Sequence, residues 1–162
     1  MNFFQKEYSK YQKKIGKKIG PSNWIEITQN KIDQFAKLTQ DTQFIHTDPI
    51  KTKKKSPFGK TIAHGFFILS FASKFALDVL PNIKKNEVRI NYGFDKVRFI
   101  SPVFVNSKIR GVFNLKSIEI KNNSSLLKTY ELLIEIKDFE KPAIVANWNI
   151  LNQFSNQVKL KK

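Results

Sequence analysis

The sequence contains no cysteine, which excludes disulfide bridges and thiolate metal sites. This absence is compatible with a reducing compartment. The first residues, MNFFQKEYSKYQKK, also lack the apolar segment of about 7–15 residues that a secretory signal requires. We therefore expect a cytoplasmic protein.

No hydrophobic run reaches the length of a membrane span, which is about 20 mostly apolar residues. The most apolar stretch is 56–80, SPFGKTIAHGFFILSFASKFALDVL. His64 stands at the start of its apolar half, and Lys74 and Asp78 interrupt the run before that length is reached. We expect no membrane span and assign the apolar half of this stretch to a core helix.

Arginine is scarce, although the net charge is +16. Only Arg89, Arg98 and Arg110 are arginines among the 29 basic residues, and arginine is the side chain best suited to reading bases and binding phosphate. The lysines are scattered along the chain, with short clusters at 13–18, 51–55 and 159–162. This distribution argues against nucleic-acid binding. The positive net charge does predict long-range attraction of an anionic substrate.

The residues that are abundant can fill one core: 15 phenylalanines and 41% hydrophobic residues in a chain of 162. We expect a single domain, 1–162. Helical spacing and strand-like composition predict helices at 2–18, 29–38 (capped by Thr28) and 63–80, a short strand at 24–27, mainly loop at 39–60, and long strands at 87–100, 103–121, 126–139 and 143–154. Helices followed by consecutive strands with short turns predict an α+β fold with an antiparallel sheet.

The predicted helix at 63–80 is apolar almost all the way round. We expect it to be buried on most of its surface, with the sheet wrapped around it. Pro57, Gly59 and Gly65 predict a constrained loop leading into its N-terminus. Because free backbone N–H groups at a helix N-terminus favour negative charge, we expect an anion-binding position there.

The two histidines of the chain, His46 and His64, both lie close to this helix start. Asp41, Gln43, His46 and Asp48 share one short segment. If the segment bends, Asp41 and His46 can hold one water and move its proton near neutral pH. Metal binding is a weaker alternative, because one histidine and two aspartates here have no recognisable ligand spacing. A capped, solvated loop without chemistry is the other alternative.

The segments DTQFIHTDP and SPFGKTIAHG resemble the MaoC-like dehydratases, the hot-dog-fold family that includes the (R)-specific enoyl-CoA hydratases. The family pattern has an aspartate, an asparagine two residues later and a histidine five residues after the aspartate, then an FG…HG segment entering the central helix. The matching residues are Asp41, His46, Phe58, Gly59, His64 and Gly65. The segment NYGFDKVRFISPVFVNSKIR is similar to the family's next strand pair, so the resemblance covers residues 24–110.

Gln43 departs from the hydratase pattern, since it stands where hydratases carry asparagine. This departure is similar to the nodulation-protein-N-like branch of the family. The resemblance implies one α+β hot-dog domain, an antiparallel sheet around a long buried central helix, with the helix at 2–18 as an N-terminal extension. Hot-dog domains usually pair, and a long uncovered edge strand also needs a partner. We therefore expect a homodimer.

The resemblance also implies an activity, hydration of a 2-enoyl thioester, with trans-2-enoyl-CoA to (R)-3-hydroxyacyl-CoA as the concrete reaction. Asp41 and His46 would bind the water that adds across the C2–C3 double bond. Gly65 would donate its backbone N–H to the thioester oxygen. The substrate would be a thioester of CoA or of acyl-carrier protein, and neither a cofactor nor a metal is implied.

Residues expected around the substrate are Gln43, Phe44, Phe58, Gly59, His64, Asn91 and Tyr92. Among them, His64 is expected to be a buried residue that orients the loop, while Asn91 and Tyr92 are expected on the acyl side. The lysines at 51–55 are candidates for contact with CoA phosphates. Two alternatives to hydration stay open at this point: a hot-dog acyl-CoA thioesterase, and a non-catalytic protein that binds acyl thioesters or serves as a basic scaffold.

Overall fold

The second half of the chain forms a large antiparallel sheet, as the β-rich composition predicts. The computed structural model describes residues 3–155. The strands are β1 (Lys18–Ile19), β2 (Ile25–Glu26), β3 (Glu87–Phe99), β4 (Lys108–Asn122), β5 (Ser125–Ile136) and β6 (Ile144–Phe154). The helices are α1 (Phe3–Gln12), α2 (Gln29–Thr39), α3 (Phe44–Thr47), α4 (Pro49–Lys55), α5 (Gly65–Ser70) and α6 (Ala72–Val79).

The order of strands in the sheet is β1-β4-β5-β6-β3, and β2 also pairs with β4. β5 is central, with Leu132 opposite Phe113 on one side and Ala146 on the other. Its even-numbered residues from Leu126 to Ile136 are all buried, as expected for a strand with one face on the core. β3 lies at one end of the sheet and, among the described residues, pairs only with β6.

The central helix packs across the core face of the sheet, but it differs from the expected continuous, fully buried helix. It is divided at Phe71 into α5 and α6, and its buried residues lie on one side: Ile68, Ala72, Phe75 and Ala76. Phe66 is 72% and Leu77 61% exposed. The expectation of burial on most of the surface is therefore wrong, because the sheet covers only one side of the helix.

A glycine allows the helix to lie directly against the sheet. A Cβ atom on Gly111 of β4 would lie 2.6 Å from Cβ of Phe75 in α6, far inside van der Waals contact. Phe75 is completely buried at this crossing. The close approach fixes α6 on β4, and thereby fixes where the N-terminus of α5 points.

The N-terminal helix is shorter than the expected 2–18, and residue 2 lies outside the described part of the chain. α1 ends at Gln12 because the chain then turns to join the sheet. Gly16 adopts φ +79°, and its N–H donates to the carbonyl of Leu115 in β4 at 2.8 Å. The side-chain nitrogen of Lys128 in β5 lies over the ring of Tyr11 in α1, and both side chains are buried. Burial of Lys128 lowers its pKa to about 7.

The middle of the chain contains more helix than expected. α2 and its Thr28 cap are confirmed, since the Thr28 hydroxyl accepts the N–H of Lys31. Two short helices, α3 and α4, replace half of the expected loop at 39–60. The carboxylate of Asp48 accepts the N–H of Lys51 at 2.8 Å and caps α4, and Pro49 occupies its first turn. Within residues 3–155 no helix has the length and apolarity needed to cross a membrane.

Candidate active site

A largely apolar cavity of about 420 Å³ opens beside the N-terminus of α5. His46, Phe58 and Gly65 line it, together with apolar side chains from the end of β3, the following loop 100–103 and the start of β6. A cavity of this kind with few polar groups is the usual form of a small-molecule site. The polar atoms it contains therefore determine what chemistry is available.

His46 is buried at this cavity, with 7% of its surface exposed, and its ring is held in one tautomer. Its Nδ1 lies 2.7 Å from the carbonyl oxygen of Ile62. A carbonyl oxygen only accepts, so Nδ1 must carry the proton and donate it. In the neutral ring the lone pair is consequently on Nε2, which is free to act as a base or to accept from a water.

The backbone around His46 is also anchored. The amide of Gln29, in the first turn of α2, donates to the His46 carbonyl at 2.7 Å. The Thr61 hydroxyl, almost fully buried, donates to the Gln29 side-chain oxygen at 2.5 Å. Neither Gln29 nor Thr61 was identified from the sequence, because they lie 17 and 15 residues from His46 with no recognisable spacing. The bonds join α2, α3 and the segment before α5.

His64 lies directly against His46. The two rings stack with centroids 3.8 Å apart and planes 26° apart. Nε2 of His64 donates to the backbone carbonyl of Asp41 at 2.9 Å, again because a carbonyl can only accept. Its Nδ1 is buried and, within residues 3–155, has no hydrogen-bond partner. His64 thus connects the two residues that the sequence singles out as a pair, Asp41 and His46.

Asp41 differs from the two histidines in being accessible, with 55% of its side chain exposed. Its Oδ2 lies 4.0 Å from Nε2 of His64. One ligand atom from each of Asp41, His46 and His64 lies within 4.8 Å of the other two. These atoms are therefore close enough for one water to contact the carboxylate and an imidazole.

Metal binding by these three residues fits the geometry poorly. Nε2 is the His64 nitrogen that lies 4.0 Å from Oδ2 of Asp41, and to become a ligand it would have to lose its proton and its bond to the Asp41 carbonyl. The stacking also keeps the lone pairs of the two rings in two nearly parallel planes, whereas ligands of one ion must converge on it. The arrangement is better suited to holding a water.

The electrostatics keep His46 neutral. Burial lowers the pKa of His46 below its usual value, and the neighbouring His64 lowers it further. The hydrogen bond to Ile62 and the charge of Asp41 act in the opposite direction without reversing the shift. At neutral pH the Nε2 lone pair is therefore available.

Gly65 is the first residue of α5, so its N–H has no partner inside the helix. It lines the same cavity as His46. A Cβ atom at this position would lie 2.7 Å from Cε1 of Phe99, so any larger residue would require the Phe99 ring to move. Phe99, at the end of β3, was not singled out in the sequence, because its contact with Gly65 joins residues 34 positions apart.

The other predicted substrate residues are distributed differently. Phe58 lines the His46 cavity and, with Gly59, a neighbouring one, whereas Gln43, the N-cap of α3, and Phe44 line neither. Asn91 and Tyr92 are not brought to the site. The Asn91 side-chain oxygen accepts from the indole N–H of Trp148 at 2.7 Å in a separate cavity of about 170 Å³, and Tyr92 is 59% exposed. Neither residue lines the His46 cavity of this chain, and their contact with the acyl chain stays a prediction.

Comparison with known proteins gives the context for this site. The model of the MaoC like domain matches residues 10–135. Nodulation protein N of Rhizobium leguminosarum bv. viciae is 44% identical over 141 residues, covering 87% of this chain and 88% of that protein. The 3-hydroxyacyl-thioester dehydratase Z of Mycobacterium tuberculosis (strain CDC 1551 / Oshkosh) is 39% identical over 131 residues, covering 81% and 85%.

Among solved structures, the monoamine oxidase regulatory protein from Archaeoglobus fulgius superimposes with a TM-score of 0.74 at 28% identity, covering 88% of this chain and 92% of that one. The predicted α+β hot-dog fold is thereby confirmed. Since the family model covers well over half of the sequence and the relatives align along most of their length, the chain belongs to the MaoC-like dehydratase family.

Proposed function

We propose that the protein is a hydro-lyase that adds water across the C2–C3 double bond of a 2-enoyl thioester, giving the (R)-3-hydroxyacyl thioester. One observation carries the proposal: a buried imidazole with an unprotonated Nε2 and a helix N-terminal N–H line the same apolar cavity. The relative named as a 3-hydroxyacyl-thioester dehydratase supports the same substrate class.

The reaction needs a base for water and a donor for the thioester oxygen. Asp41 and His46 hold the water, and one of them takes its proton as the oxygen bonds to C3. The electrons of the C2–C3 double bond move toward the carbonyl, and the Gly65 N–H stabilises the negative charge that develops on the thioester oxygen. The proton is then delivered to C2, so that one water is consumed and no other reactant is required.

The lowered pKa of His46 suits this role. A histidine that took up a proton at neutral pH could not remove one from water, and burial prevents this. His64 is a positioning residue in this scheme, because its Nε2 is engaged by the Asp41 backbone carbonyl and its ring stacks on His46.

Asp41→Asn and His46→Asn should each slow hydration by about a hundredfold or more, because each removes an acid–base group. The amide that His46→Asn introduces can still donate to the Ile62 carbonyl, so this variant removes the base while keeping the anchor. The assay is loss of enoyl absorbance with crotonyl-CoA and longer enoyl-CoA thioesters, with chiral analysis of the product. Asp48→Asn is the matched control, since asparagine also caps helices well.

Two results would contradict hydration. One is a wild-type protein that hydrates none of these thioesters. The other is release of free CoA thiol without hydration, which would indicate a thioesterase.

The Gly65 N–H can be removed only by proline, which is tolerated at the first position of a helix. His64 has φ −59° and ψ 136°, a conformation allowed before proline. Because Phe99 leaves no room for added atoms at residue 65, the comparison is made in Phe99→Ala. Adding Gly65→Pro should lower kcat about a hundredfold or more relative to adding Gly65→Ala, which keeps the N–H. Equal kcat values for the two double variants would remove Gly65 from the mechanism.

We also propose that the protein is a homodimer paired through β3. Within residues 3–155 no strand pairs with the outer side of β3, which makes that side an edge with unpaired backbone groups. Val88 and Tyr92 on β3 are 61% and 59% exposed, and Phe66 and Leu77 on the helix beside it are exposed as well. An apolar surface of this kind along a free strand edge suits a symmetric interface.

Light scattering at micromolar concentration should give twice the chain mass of 18.9 kDa. Combining Val88→Lys with Tyr92→Lys should shift the protein to the monomer, because it places like charges at the interface. Leu38→Lys, at an 82% exposed position of α2, is the control and should remain dimeric. A wild-type mass of one chain would overturn the proposal.

A further inference from the structure

The surface next to the candidate active site carries a cluster of lysines that no part of the proposed reaction uses. Four of the seven residues of α4 are lysine, Lys51, Lys53, Lys54 and Lys55, and all four are exposed. α4 directly follows α3, which bears His46, and Phe58 of the cavity wall lies three residues beyond its end. The cluster therefore flanks the cavity.

α4 is fixed in place. Thr52, the only fully buried residue of the helix, donates its hydroxyl to the Phe44 carbonyl at 2.8 Å. Asp48 caps the first turn, and the Ser56 hydroxyl donates to the Thr52 carbonyl at 2.8 Å. The lysines therefore extend from a rigid support at a defined position beside the cavity.

In the described part of the chain, no carboxylate neutralises the positive charges of α4. Across residues 3–155, none of these four lysines forms an ion pair; Lys51 only lies over the Phe44 ring at 4.9 Å. The nearest carboxylate in sequence, Asp48, is engaged in capping. The cluster is free to attract an anionic partner.

The shape of the cluster distinguishes a protein partner from a small phosphate. Successive helical residues point about 100° apart, so Lys53, Lys54 and Lys55 fan outward and do not converge on one point. A broad, exposed set of ammonium groups instead complements an extended acidic surface and speeds encounter with it.

We propose that α4 is the docking surface for an acidic acyl-carrier protein, which delivers the acyl thioester into the neighbouring cavity. This inference rests on the proposed function, because it names the carrier of that substrate. The thioester arm enters the cavity while acidic side chains of the carrier face Lys53, Lys54 and Lys55. Contact with the phosphates of CoA, expected for these lysines from the sequence, is the competing outcome of the test.

The test compares Lys53→Glu/Lys54→Glu/Lys55→Glu with Lys10→Glu/Lys13→Glu/Lys17→Glu, three exposed lysines on and just after α1. Both triple variants lower the net charge of +16 by the same six units, so any general attraction changes equally. The substrates are crotonyl-CoA and crotonyl thioester of a purified type II acyl-carrier protein. A Lys→Gln version of the α4 variant removes charge without placing acids at the end of the helix.

The α4 variant should raise KM for the carrier-bound substrate about tenfold or more over the control variant. Its KM for crotonyl-CoA should equal that of the control variant. For the carrier-bound substrate, the KM of the Gln version should lie between those of the control variant and the Glu version. Equal increases for both substrates would show recognition of the phosphopantetheine phosphate that they share and would overturn the proposal. An unchanged KM for the carrier-bound substrate would overturn it as well.

Binding without turnover separates the docking surface from the reaction. Titration of the holo carrier protein, followed by calorimetry or NMR, should show saturable binding to wild type that weakens as the salt concentration rises. Binding should also be weaker in the α4 variant, but not in the control variant. Such binding in a protein that hydrates neither thioester would retain the docking surface and reject the proposed activity. Absence of binding to wild type would reject the docking surface whatever the hydration assay shows.

Discussion

The hydrogen bond from Nδ1 of His46 to the Ile62 carbonyl is the interaction on which the candidate site depends. It places the proton on one ring nitrogen and leaves the other with the lone pair. Ile62 stands three residues before Gly65, so the same short segment fixes the base and begins the helix whose N–H faces the cavity. Without this bond, the ring could rotate or adopt the other tautomer, and the base would be lost.

His64 extends this constraint to Asp41. Its ring stacks on His46, and its Nε2 holds the Asp41 backbone, so the loop before α3 and the segment before α5 cannot move independently. The two histidines therefore have opposite tautomers, with the proton on Nδ1 of His46 and on Nε2 of His64. Stacking and burial also keep His46 uncharged, which ties the packing of the site to its chemistry.

The features of the site and fold that depend on local sequence patterns were predictable. The Asp41–His46 spacing, the HG pair before the helix and the Thr28 cap depend on residues close together in the chain. The two predictions that were wrong depend on contacts between distant residues. The first helix ends earlier than expected because the Gly16 N–H bonds the Leu115 carbonyl. The central helix is exposed on one side because the sheet covers only the other. Residue spacing in the sequence could not predict that His46 stacks on His64 or that Phe99 packs against Gly65. Each contact joins two chain segments that are brought together by the packing of α6 on β4.

The most direct test of this account is the protonation state of the two histidine rings, measured by long-range ¹H–¹⁵N NMR of the labelled protein at neutral pH. With only His46 and His64 in the chain, the spectrum contains two ring systems, which His46→Asn assigns. The account predicts one neutral ring protonated at Nδ1, His46, and one protonated at Nε2, His64. A His46 ring protonated at Nε2, or charged at neutral pH, would contradict it, because the site would then lack its base.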